Sequence, residues 1–128
     1  ADTGAAIGAL SGTGKIGVVG YCLGGSIAFL AATRLDGIAA AVGYYGGMIT
    51  KNADETPKVP TQLHYGEADQ GIPMSDVEKV IAARPDCDIH VYPAGHGFAC
   101  DERASFDAAS TMIASGRTLR WFDEYLAG

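Results

Sequence analysis

Four apolar stretches divide the chain. Lys15–Gly20, Ala39–Tyr45, Thr61–Gly66 and Asp88–Tyr92 predict short strands; Ile16–Gly20 is apolar on both faces, while His64 alternates with Leu63 and Tyr65, and Ile89-His-Val-Tyr92 alternates too. Gly24–Leu35, Met74–Ala83 and Asp107–Leu126 carry helical periodicity. In the last, Ala108, Met112, Gly116, Leu119, Phe122 and Leu126 recur at helical spacing behind Asp107, a suitable N-cap. Ahead of the first strand, Thr3–Leu10 reads as a short helix. Gly46-Gly47 signals a turn after the second strand, and Thr50–Pro60 a polar, proline-ended loop. Strands alternating with helices imply parallel βαβ units. The expected fold is therefore α/β: a three-layer α/β/α arrangement around a mostly parallel sheet of about four strands. With no repeat or linker, residues 1–128 read as one domain.

Composition narrows the classes. At 48% apolar, the 128 residues can close one core. No apolar run approaches the ~20 residues of a membrane span. A net charge of −6 with scattered Lys and Arg argues against nucleic acid or an anionic membrane as partner. Three cysteines are too odd a count for a disulfide framework, and no secretory pattern opens the chain, so a cytoplasmic setting is expected.

The candidate chemistry begins where the first strand ends. Gly20-Tyr-Cys22-Leu-Gly-Gly25 runs from an apolar strand directly into an apolar helix. Small residues around one presented side chain are the pattern of a nucleophile elbow, here offering a thiol. The competing readings are a buried structural cysteine or a phosphate-binding turn. Gly20 and Gly25 stand at P-loop spacing, but Ser26 follows where Lys is required. Gly12-Thr-Gly14-Lys-Ile-Gly17 leads into a strand instead of opening a helix, so a dinucleotide site lacks its context.

A thiol nucleophile needs a base, and the base an orienting acid. Asp69 follows the Thr61–Gly66 strand and His96 follows the Asp88–Tyr92 strand, in the loops leaving their C-terminal ends. Cys22, Asp69 and His96 thus converge on the edge where open parallel sheets place their ligands. Glu67 could exchange roles with Asp69, but the Gly-x-x-Asp spacing before Pro73 favours Asp69. His64 is expected in the core or at its rim. Cys87-x-x-His90 with His96-x-x-x-Cys100 mimics zinc spacing, but His90 lies within a strand and His96 is better explained by the triad, so no metal is expected. Cys100 reads as a loop residue with an outside chance of resolving Cys22, and Asp101, Glu102 and Arg103 as a solvated turn.

From about Lys15 to Leu126 the chain resembles the C-terminal half of the dienelactone hydrolase, or carboxymethylenebutenolidase-like, family of α/β-hydrolases. The matching pieces are Gly20-Tyr-Cys-Leu-Gly-Gly25, Tyr65-Gly-Glu-Ala-Asp69 with Pro73 beyond, Tyr92-Pro-Ala-Gly-His96-Gly-Phe98, and Arg117-Thr-Leu-Arg-Trp-Phe122. The resemblance implies Cys22 as nucleophile, His96 as base, Asp69 as its acid and the Leu23 backbone N–H in the oxyanion hole. It implies hydrolysis of an ester or enol-lactone through an acyl-thioester, without metal or organic cofactor. Phe98 and Arg103 are the candidate substrate contacts. The better-known members carry an arginine four residues past the histidine, where this chain has Cys100, and Arg103 is the nearest basic residue.

Such proteins are about twice this length, with several strands ahead of the elbow. Without them Lys15–Gly20 would be a sheet edge with unpaired backbone groups. The chain is accordingly expected to be incomplete on its N-terminal side, or to cover that strand with a second copy or partner. Two functions follow: an ester or lactone hydrolase on a small-molecule substrate, or a non-catalytic fragment or interaction module that keeps the half-sheet.

Overall fold

The computed structural model describes residues 6–12, 15–99 and 107–126. Five strands form one sheet in the order β1-β2-β3-β4-β5: β1 Ala6–Gly12, β2 Lys15–Tyr21, β3 Ala40–Tyr44, β4 Thr61–Gly66 and β5 Asp88–Tyr92. Strands β2 to β5 are parallel, as the βαβ pattern predicts. Helix α1 spans Leu23–Arg34, α2 Met74–Ala83 and α3 Ala108–Leu126. Asp107 caps α3 as expected, its Oδ2 accepting the Ser110 N–H at 2.9 Å.

The expected Thr3–Leu10 helix is not formed. Residues 6–12 are strand β1, paired antiparallel with β2 from Ala6 opposite Tyr21 to Gly12 opposite Lys15, and residues 3–5 lie outside the described set. An eight-residue segment with glycine at positions 4 and 8 is too short and too flexible to hold a helix alone. The open ladder of β2 offers its backbone groups partners instead. The elbow strand is therefore interior to the sheet, which corrects the expectation of an exposed edge at Lys15–Gly20. Among the described strands, the edges are β1 and β5.

Alternation along each strand sorts its side chains between two layers. Gly43 and Leu63 face α1, whereas Tyr44 and Gly17 face α3, where Tyr44 Oη meets Thr118 Oγ1 at 2.6 Å. Helices α1 and α2 both reach a 3-10 turn at Ile49–Asn52. The core is continuous, with Phe29, Val42, Leu63, Tyr65, Val77, Val80 and Phe98 all fully or almost fully buried.

Candidate active site

The turn between β2 and α1 is built around Cys22, which has φ 57° and ψ −122°. A non-glycine residue adopts this backbone only where its surroundings enforce it. Here they do. The Cys22 N–H donates to the Tyr44 carbonyl at 3.0 Å, and its carbonyl accepts the Gly25 N–H at 2.9 Å. The elbow's glycines are required by close approach: a Cβ on Gly20 would strike the Gly24 carbonyl, and one on Gly25 the Tyr44 carbonyl. Cys22 precedes the first helical residue, so its side chain sits at the positive end of α1 and is 9% exposed. Leu23 opens α1 and is 52% exposed; its N–H is among the first four that a helix leaves without an internal acceptor.

The loops after β4 and β5 are tied to each other. Ala68 N–H donates to the Ala94 carbonyl at 3.0 Å and Glu67 N–H to the Tyr92 carbonyl at 2.8 Å. Within this clamp the His96 Nδ1 lies 2.6 Å from Asp69 Oδ2, and the Asp69 side chain is only 1% exposed. Asp69 Oδ1 accepts the Gly71 and Ile72 N–H groups at 2.8 and 3.0 Å, fixing the carboxylate in place. An ionised carboxylate only accepts, so the Nδ1 proton points at Asp69 and the ring's lone pair falls on Nε2. The His96 side chain is 32% exposed, so this nitrogen belongs to a solvent-accessible ring. Asp69, not the exposed Glu67, is the carboxylate on His96.

One residue at this edge escaped the sequence reading. Tyr45, directly after β3, has φ 39°, is 1% exposed, and lays its ring 5.0 Å from the His96 imidazole. Tyr44-Tyr45 ahead of Gly46-Gly47 was legible as the end of a strand. Nothing in that pattern says which ring turns toward the histidine.

The sequence model of the dienelactone hydrolase family matches residues 5–126. The chain belongs to the dienelactone hydrolase family. It is 34% identical over 144 aligned positions to a Methylorubrum extorquens protein bearing the carboxymethylenebutenolidase name, covering 97% of this chain and 50% of that protein. To carboxymethylenebutenolidase 1 of Cupriavidus pinatubonensis it is 37% identical over 112 positions, covering 83% of this chain and 47% of the relative. Among solved structures, a dienelactone hydrolase-type protein of Klebsiella pneumoniae superposes with a TM-score of 0.77 at 32% identity, over 84% of this chain and 51% of that one. The chain thus spans about half the length of the curated relatives it matches.

Against the dienelactone hydrolase pattern, the remaining expected residues divide. Phe98, expected to contact substrate, has no exposed surface. Its ring packs at 5.4 Å from Tyr45 and 5.2 Å from Tyr92, backing the loop that carries His96. Arg103 and Cys100 lie outside the described residues. Cys87 and His90 are not gathered with His96: His90 Nε2 pairs with Asp88 Oδ2 at 2.9 Å, and burial pushes the Cys87 thiol up to about 12. His64 is a core histidine, its ring bonded to Tyr92 Oη and Gln62 Oε1, both at 2.7 Å. Burial holds it neutral, with a pKa lowered to about 3.

Proposed function

We propose that this chain carries the nucleophile, base and orienting acid of a hydrolase acting on ester or enol-lactone bonds. The observation that carries this reading is the 2.6 Å bond between His96 Nδ1 and the buried Asp69, at the sheet edge where Cys22 occupies a strained elbow. His96 Nε2 takes the Cys22 proton, and the thiolate attacks the carbonyl carbon of the substrate. Negative charge develops on the carbonyl oxygen, toward the Leu23 N–H at the positive end of α1. Collapse breaks the C–O bond, and the imidazolium protonates the departing oxygen, leaving an acyl-thioester on Cys22. Water, deprotonated by His96, then attacks the thioester, freeing the carboxylic acid and restoring the thiol. These steps need no metal or organic cofactor, and the substrate is a small-molecule ester or lactone.

Only one oxyanion donor is assigned, and losing one donor costs acyl-transfer enzymes about 100- to 1000-fold in rate. The 128-residue chain alone is therefore expected to hydrolyse activated esters or lactones weakly at best. A chain of the relatives' full length is expected to turn over faster. The test is 4-nitrophenyl acetate with acid-quenched intact-protein mass spectrometry. An acetyl adduct on Cys22, absent in Cys22→Ala, supports the reading. Turnover unchanged in Cys22→Ala refutes it. The half-length match favours a second reading, a non-catalytic module, which predicts no adduct at either chain length.

A further inference from the structure

Tyr45 holds a backbone conformation that glycine would adopt without strain. Its φ of 39° lies in the left-handed region, where a bulky residue persists only if its surroundings over-determine it. Those surroundings are specific. The Tyr45 N–H donates to the His64 carbonyl at 2.6 Å, which fixes the chain as it leaves β3. The ring is then tilted 57° to the His96 imidazole with centroids 5.0 Å apart, and stands edge-on to Phe98 at 5.4 Å. His96 is thus bound through Nδ1 by Asp69 and walled on a second side by an aromatic ring from a different strand. A packed ring beside the imidazole restricts its rotation about the side-chain bonds.

We propose that Tyr45 is a positioning residue for His96: its ring sets the imidazole plane, so that Nδ1 stays on Asp69 while Nε2 is held toward the elbow. The consequence for acylation rests on the hydrolase reading above; the restraint on His96 does not.

Two substitutions in the full chain separate positioning from simple core filling. Tyr45→Phe keeps the ring, and Tyr45→Leu keeps an apolar side chain without it. The first readout is the low-field His96 Nδ1–H resonance, and the second is the rate of Cys22 acylation by 4-nitrophenyl acetate. Tyr45→Phe is expected to keep the resonance and to acylate within twofold of the parent. Tyr45→Leu is expected to broaden or lose the resonance and to acylate at least tenfold more slowly, with its far-UV spectrum unchanged. If Tyr45→Leu does not fold, Tyr45→Met serves the same purpose. A folded Leu or Met variant with the resonance intact and acylation within twofold would overturn the proposal. So would a Phe variant as impaired as Leu, which would assign the effect to the hydroxyl. If Cys22 of the parent is never acylated, the hydrolase reading fails, and the resonance alone decides the role of Tyr45.

Discussion

Asp69 is where fold and chemistry can be perturbed separately, by two substitutions of one buried side chain. Its Oδ1 accepts two backbone N–H groups, from Gly71 and Ile72, and its Oδ2 meets His96 at 2.6 Å. Asp69→Ala removes all three hydrogen bonds at once. Left unsatisfied, the N–H of buried Ile72 costs about 1–3 kcal/mol, whereas that of exposed Gly71 can turn to water. A typical domain holds only about 5–15 kcal/mol in total, so the alanine variant is expected to be clearly destabilised. Asp69→Asn behaves differently. Its amide oxygen still accepts from Gly71 and Ile72, so the loop keeps its shape. The amide nitrogen, however, now faces His96 Nδ1 and donates. The imidazole must accept there, which moves its proton to Nε2 and removes the lone pair that would deprotonate Cys22. The same exchange in a serine triad lowers the rate about 10,000-fold, and a more acidic thiol depends less on its base, so about 100- to 10,000-fold is expected. Urea denaturation measures the stability arm, and the acylation rate of Cys22 by 4-nitrophenyl acetate the chemical arm. A folded Asp69→Asn protein that acylates within threefold of the parent would show that Asp69 does not set the tautomer of His96.

Three further outcomes follow from the same geometry. Gly20→Ala drives a methyl into the Gly24 carbonyl at the root of the elbow; an urea midpoint equal to the parent's would contradict this, since overpacking typically costs about 1–3 kcal/mol. Iodoacetamide at neutral pH is expected to label Cys22, at the positive end of α1, well before Cys87, whose buried thiol is pushed up to about 12. Peptide mapping that finds Cys87 labelled first would reverse that order. Finally, His64 titrates near 3 in the folded protein because of its burial, against about 6.5 when unfolded. Between those values the unfolded chain binds the extra proton. This residue's contribution is thus fully present above pH ~6.5 and is lost toward pH ~3, by at most about 1.4 kcal/mol per unit. Urea titrations at pH 7 and pH 5 read the slope, and a slope unchanged in His64→Gln would remove His64 as its source.

The chain's own pattern determined most of the sheet and one line of the site. Strands Thr61–Gly66 and Asp88–Tyr92 and helix Met74–Ala83 stand where apolar runs and helical periodicity put them, because both report which face must leave water. Cys22, Asp69 and His96 were visible as a chain order, since parallel strands send their C-terminal loops to one edge. The glycines of the elbow were visible too, although only the fold shows what each avoids: the Gly24 carbonyl for Gly20, the Tyr44 carbonyl for Gly25. Residues 6–12 escaped because a weak local helix preference was set against the open ladder of β2, a partner the local sequence does not reveal. Phe98 and Tyr45 escaped for a related reason. Both are aromatic residues beside glycines in loops, and local sequence treats them alike. Tertiary packing buried Phe98 behind the His96 loop and twisted Tyr45 into positive φ, so that its ring meets the imidazole. A residue's type and neighbours in sequence set what it can do. Which ring touches which is decided by contacts between strands far apart in the chain, and those exist only once the sheet has formed.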